Sequence, residues 1–277
     1  MKISVIFNEK SKRVKKSKLI EKINDFFVNK QVIIDYYSFI DKTELKMILN
    51  YDTLIVCGGD GTISNVCHNL VVNNLSPKIL LVPLGTNNDF SRILRINKKK
   101  FCELLSLIEK KEYKDVSLSR LNDKYFLYGS AFGKMANVSY ETNRKIIKIF
   151  GYLGYVLKCF VELLKINKLF IEINGKNQRY VTCFILKNNI LAGFKLKNIH
   201  VDDDLVLVAL KYKSIFSNLR VFGFFLSRGK IKKKDLFVRF SSLDLCSSIA
   251  LINLDGELYE GRALNYQTTK KKLSFYQ

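Results

Sequence analysis

The feature that most limits what this chain can fold into is a set of four short, largely apolar runs separated by segments of helical spacing. They are ISVIFN from Ile3, VIIDYYSF from Val32, TLIVCGG from Thr53 and KILLVPLG from Lys78. A strand with one wet face alternates apolar and polar residues, whereas a strand covered on both faces has no reason to. Between the runs, Leu19, Ile23 and Phe26/Phe27 recur at helical spacing within 14–29, and further helices are expected around 43–50, 62–72 and 99–110. This order specifies a doubly wound α/β domain, a parallel sheet with helices on both faces.

After residue 115 the texture changes to strand following strand: DVSLSRL, KYFLYGSAFG, LFIEING, RYVTCFILKN, LVLVALKY, LFVRF, IALINLDGELY and KLSFYQ. Asn174-Gly175 and Asp255-Gly256 are hairpin dipeptides, so the second half reads as a mostly antiparallel β-sandwich. Helical patterns interrupt it at 143–164, apolar nearly all round, and at 215–226. A chain of 277 residues suits about two domains. They are placed at 1–118 and 119–277, with the C-terminal segment a candidate to return to the first.

Lys and Arg number 47 against 25 Asp and Glu, a formal charge of +22 that favours anionic partners. The basic residues lie in short clusters, at 10–18, 98–100, 228–234 and 270–272, with no zinc-finger spacing or aromatic RNA-binding motif beside them. Solvated surface is the plainer reading of these clusters, and contact with an anionic membrane the sharper one; nucleic acid is not an expected partner. Six scattered cysteines without a C-x-x-C pair fit reduced thiols of a cytoplasmic protein. The first residues are too short an apolar stretch for a signal peptide, and no run of about 18 uncharged apolar residues occurs. The expectation is a cytoplasmic protein, soluble or held peripherally at a membrane.

Elimination narrows the chemistry. His68 and His200 are the two histidines, neither at metal-ligand spacing, and there is no G-x-S-x-G, no Walker A pattern and no G-x-G-x-x-G. What remains is GGDGT at 58–62, where Gly58, Gly59 and Gly61 allow left-handed backbone or close approach to a ligand. Thr62 is a candidate cap, and the helix start behind it a candidate anion site. Asp60 would repel a bare phosphate, so its place among the glycines makes sense if it holds Mg²⁺; a capped tight turn is the plainer alternative. A second loop, PLGTNNDFSR at 83–92, again ends a strand, supplies Gly85 and Thr86, and places Asp89 at a helix start. Loops at the carboxyl ends of neighbouring parallel strands converge on one site.

In the β half, Glu257 follows an Asp-Gly turn, a short connection that fixes direction and suits a positioned base, although read alone a surface hairpin explains it better. Asp202, Asp203 and Asp204 are consecutive carboxylates that a divalent cation would relieve; a solvated turn is the alternative.

GGDGT at 58–62, PLGTNNDFSR at 83–92 and DGE at 255–257, in this order and separation, resemble the diacylglycerol kinase catalytic family, of the soluble bacterial lipid kinase type. Sphingosine and NAD kinases are more distant relatives, and the resemblance runs through VSYET at 138–142 and SRG at 227–229. It implies ATP as co-substrate, bound between an α/β domain and a β-sandwich, with Mg²⁺. It implies that Gly58, Gly59, Gly61 and Thr62 contact phosphates, that Asp60 holds Mg²⁺, and that Gly85, Thr86 and Asp89 complete the nucleotide site with Asn8. Glu257 is implied as general base, Asp115 as a required acidic residue and Asp203 as a second, structural Mg²⁺ ligand. Two segments depart from the family pattern: NEKSK at 8–12 stands where it has N-P-x-S-G, and Asp-Asp-Asp at 202–204 where it has Asp-Asp-Gly.

The function so implied is ATP-dependent phosphorylation of a lipid hydroxyl, diacylglycerol to phosphatidic acid. The alternatives are another acceptor (a sphingoid base, phosphatidylglycerol, a polyprenol or NAD) or a non-catalytic regulator on the same fold. The implied partners are a lipid substrate and an anionic membrane surface, with a homodimer left open.

Overall fold

The computed structural model describes residues 1–7, 16–38, 51–85, 87–133 and 169–277. Asn8, Thr86 and the helices expected at 43–50 and 143–164 lie outside the described residues. In chain order the elements are β1 (Lys2–Phe7), α1 (Lys16–Phe27), β2 (Ile33–Ser38), β3 (Thr53–Gly58), α2 (Asp60–Val72), β4 (Lys78–Pro83), α3 (Asp89–Ile93) and α4 (Phe101–Lys110). There follow β5 (Tyr113–Leu121), β6 (Lys124–Phe126), β7 (Gly129–Gly133), β8 (Leu169–Ile173), β9 (Lys176–Leu186), β10 (Ile190–Leu191), β11 (Phe194–Lys195) and β12 (Leu205–Lys211). After a 3-10 turn at Ile215–Leu219 come α5 (Arg220–Leu226), β13 (Leu236–Phe240), β14 (Ser242–Ser247), β15 (Leu251–Leu254), β16 (Glu257–Glu260) and β17 (Ala263–Tyr276). The chain divides into one unit of Met1–Leu118, Tyr125–Leu127 and Thr269–Gln277 and a second of Ser119–Lys124 and Tyr128–Thr268.

In the first unit β2, β1, β3, β4 and the end of β17 lie side by side, all parallel. Every residue of β3 is buried, which is why its sequence runs apolar without alternation. Ile63, Val66, Cys67 and Leu70 bury one side of α2, and Leu104, Leu105, Leu107 and Ile108 do the same for α4. The end of β17 locks in beside β4: the Phe275 ring meets Phe90 at 5.0 Å, and the Tyr276 hydroxyl shares a 2.8 Å hydrogen bond with Thr53. This strand is drawn from residues at the far end of the sequence.

The second unit is antiparallel, and β9 is its spine. One edge of β9 pairs with β12, which pairs in turn with β13. The other edge is shared: the amino-terminal half pairs with β8 and the carboxyl-terminal half with β7. Two arms therefore leave β9, one running β8, β14, β17 and the other β7, β15, β16. Both hairpin dipeptides form two-residue turns with positive φ at each position, 50° and 73° at Asn174-Gly175 and 49° and 88° at Asp255-Gly256. That is the backbone whose twist matches paired strands. On one face of the spine, Phe224 and Phe225 of α5 pack against Phe184, the Phe224 and Phe184 rings stacked at 5.7 Å. No helix among the described residues is long and apolar enough to cross a membrane. Among the described cysteines Cys57, Cys67 and Cys183 are buried and Cys102 and Cys246 exposed, all as free thiols.

Candidate active site

The two glycine loops meet at the carboxyl ends of β3 and β4. The Leu84 amide donates to the Gly58 carbonyl at 2.8 Å, and a Cβ on Gly59 would stand 3.0 Å from the Gly85 Cα. A Cβ on Gly85 would come within 2.6 Å of the Gly59 Cα. Gly59 and Gly85 therefore serve close approach of one backbone to another, whereas a Cβ on Gly58 would meet the Thr62 side chain at 2.6 Å. None of Gly58, Gly59 and Gly61 has positive φ, so the left-handed backbone the motif allowed is not used.

The second loop is closed by Asn88, which sits in the left-handed region at φ 52°. Its side-chain oxygen accepts from the Gly85 amide and its side-chain nitrogen donates to the Gly85 carbonyl, both at 2.8 Å. Asn tolerates this backbone better than most residues, and here both ends of its amide are used.

Asp60 joins the loops. Its carboxylate accepts the backbone N–H of Asp89 and of Phe90, each at 3.0 Å, and so caps α3 from another strand–helix connection. The caps thus differ from those expected. Asn88 occupies the N-cap position of α3 while the Asp60 carboxylate receives its first amides. Gly59 occupies that of α2, and Thr62 lies buried inside α2. Asp89 is also buried, at 2% exposure. Asp60, Asp89, Gly58, Gly59, Gly61, Thr62 and Gly85 are all brought together in the first unit. Asp115 belongs to the same unit on β5, where it is exposed and accepts a 2.7 Å hydrogen bond from Ser274.

Glu257 is the first residue of β16, paired with Leu254 across the turn. Its direction is fixed by Asp255, which is fully buried and accepts the amides of Tyr128 and Gly129 at 2.9 and 3.0 Å. The Asp255 amide donates back to the Gly129 carbonyl at 2.9 Å, so the hairpin tip is bolted to β7. Asp202 to Asp204 are exposed, with Asp202 paired to Arg239 at 2.9 Å. Among the described residues no three His, Cys, Asp or Glu side chains gather as a metal cluster.

Lys187 is the residue that sequence reasoning missed. It directly follows β9, its amide donating to the Tyr128 carbonyl at 3.0 Å, beside the amides that hold Asp255. Burial pulls the pKa of its ammonium down, and the carboxylates of Asp203 and Asp255 offset part of that fall. Asp203 therefore has a cation from its own chain acting on it. Because burial dominates, the charged form is disfavoured in the fold; the folded protein sheds this proton earlier than the unfolded chain, whose Lys titrates near 10.5. Stability from this group rises as pH climbs through that window. Lys187→Met is accordingly expected to melt no lower than wild type at pH 7, with the difference narrowing toward pH 10. A loss of several degrees at pH 7 would mean that attraction to Asp203 and Asp255 outweighs burial.

The family described as diacylglycerol kinase catalytic domain matches residues 2–121. A diacylglycerol kinase of Staphylococcus aureus is 32% identical over 230 residues, covering 80% of this chain and 72% of that protein. Among solved structures, a diacylglycerol kinase of Bacillus anthracis superposes with a TM-score of 0.73 at 20% identity, covering 99% of this chain and 96% of that one. An NAD kinase from Archaeoglobus fulgidus, in complex with ATP, does so with a TM-score of 0.54 at 12% identity, covering 100% and 94%. These likenesses establish the diacylglycerol kinase and NAD kinase fold. With that fold, the glycine loops meeting at the ends of β3 and β4, and a relative alike over most of both chains, the protein belongs to the diacylglycerol kinase family.

Proposed function

We propose that this protein transfers the γ-phosphate of ATP to a lipid hydroxyl, with diacylglycerol as acceptor and phosphatidic acid as product. The observation that carries the reading is the contact of Gly59 with Gly85, which brings two backbone loops to one point beside the start of α2. Helix starts attract anions, and a surface without Cβ atoms lets phosphates approach the chain closely. The family and the ATP bound by the NAD kinase relative favour ATP in that role.

Asp60 fits a metal in a restricted way. Both its oxygens already accept an amide, so a Mg²⁺ there would use the remaining lone pairs, directly or through water. Such an ion supplies neutralisation of charge on the phosphoryl group. The chain's own work is alignment: the paired loops hold the phosphates, and Glu257 accepts the proton of the attacking hydroxyl as the new O–P bond forms and the bond to the leaving diphosphate breaks. The basic clusters favour an anionic leaflet as the place where the acceptor is met.

The test is transfer of labelled γ-phosphate from Mg-ATP to diacylglycerol, a sphingoid base, phosphatidylglycerol and a polyprenol in neutral or anionic vesicles, with NAD as soluble acceptor. Labelled phosphatidic acid is expected, formed faster on anionic vesicles and more slowly as salt rises. Label in another acceptor would replace diacylglycerol, and no label from folded protein that binds ATP would make the chain a regulator.

A further inference from the structure

The second unit holds a cavity that the proposed phosphate transfer does not use. It occupies about 360 Å³, at the small end of the roughly 300–1,000 Å³ that ligand pockets span. Ile171 and Ile173 of β8, Leu207 of β12, Leu236 and Val238 of β13 and Leu243 of β14 form its apolar wall. These side chains share one sheet face. Leu207 stands opposite Val238 in the β12–β13 ladder, while the alternate residues Val206, Val208 and Leu210 pack with Phe224 and Phe225 of α5. β12 is thus buried on both faces, by α5 on one and around this cavity on the other.

The cavity has a polar lining at one end only. That end carries Asn174, Lys176 and Gln178 from the β8–β9 hairpin, and Lys234 and Asp235 from the start of β13. Asp235 is already satisfied: its two carboxylate oxygens accept from the Arg220 Nη2 at 2.6 and 2.5 Å, and it also accepts the amides of Lys211 and Lys232. Around Lys234 the charged neighbours are Arg220, Lys213 and Lys232, against Asp235 alone, and this crowding adds to desolvation in lowering its pKa. The Lys211 ammonium donates to Gln178 at the same end. The apolar wall therefore adjoins the ammonium groups of Lys176 and Lys234, and the one carboxylate among the lining residues, Asp235, is already bonded.

We infer that this cavity binds a single-chain fatty carboxylate, its hydrocarbon inside the sheet and its carboxylate between Lys176 and Lys234. A chain without charge would forgo attraction to these ammonium groups, and a small anion would leave the apolar wall wet. The site is separate from Glu257. The cavity lies along the amino-terminal half of β9, beside β8, whereas the arm that carries Glu257 leaves the carboxyl-terminal half through β7. It is thus a second lipid site, and its test does not depend on the phosphate-transfer reading.

The experiment is calorimetric titration of the full chain with dodecanoate below its micelle concentration, with dodecan-1-ol and inorganic phosphate as probes of chain and charge alone. One dodecanoate per chain is expected, with dodecanol about tenfold weaker and phosphate silent. Lys176→Glu combined with Lys234→Glu, both away from the packed core, is expected to lower dodecanoate affinity by about tenfold or more. Val238→Trp, which fills the cavity, is expected to remove binding of dodecanoate and dodecanol alike. Unsaturable binding, equal affinity for the acid and the alcohol, phosphate binding as well as dodecanoate does, or an unchanged affinity in the doubly reversed variant would each overturn the inference.

Discussion

Glu257→Gln is expected to lower phosphate transfer by about 10²–10⁴-fold, the usual contribution of a positioned base, while leaving ATP affinity and thermal stability close to wild type. The expectation rests on where the rigidity of this hairpin resides. Asp255, buried and bonded to the Tyr128 and Gly129 amides, holds the tip, and the two positive φ values at Asp255 and Gly256 set the turn. Glu257 contributes a carboxylate at the end of that support and is only partly buried. Gln keeps its shape and removes its basicity. A fall confined to kcat, with KM for ATP unchanged, is the signature to look for. Near wild-type turnover in a folded Gln variant would remove Glu257 from the mechanism. Asp255→Ala is the informative contrast, since it loses the support of the tip along with activity.

Legibility from sequence followed the distance over which each residue's partners lie. The parallel sheet was readable because burial on both faces leaves a local trace, the missing alternation of β3 and β4. The hairpins were readable because Asn-Gly and Asp-Gly prescribe their own backbone. The glycine loops were legible as loops, yet Gly59 and Gly85 act through close approach to each other. Steric contact between residues 59 and 85 leaves no mark in either segment alone. The same holds for Asp60, whose partners are the amides of residues 89 and 90. A carboxylate among glycines announces that it is needed, and only the fold tells which amides need it. Lys187 had no local signal: TCFILK reads as a strand ending in an ordinary surface lysine. Of the carboxylates that act on it, Asp255 lies nearly seventy residues further along the chain.

Gly85→Ala is expected to reduce phosphate transfer by about 10²-fold or more and to cost about 1–3 kcal/mol of stability, because the added methyl has nowhere to go. It would stand 2.6 Å from the Gly59 Cα and 2.6 Å from the Asn88 side-chain oxygen. The first neighbour is backbone and does not move aside cheaply. The second accepts the Gly85 amide, so displacing Asn88 opens the loop it closes. Either response shifts α3 relative to Asp60 and spoils the two 3.0 Å bonds that tie the loops together. Gly175→Ala separates this effect from ordinary backbone strain. At Gly175 a Cβ meets nothing within 4 Å, although φ is 73°, so that variant should lose stability through the turn alone and retain transfer. Measuring denaturation midpoints and Mg-ATP affinity for both variants decides the matter. If Gly85→Ala keeps its affinity for the nucleotide, the meeting of the two loops is a packing feature of the first unit, and the phosphates are held elsewhere.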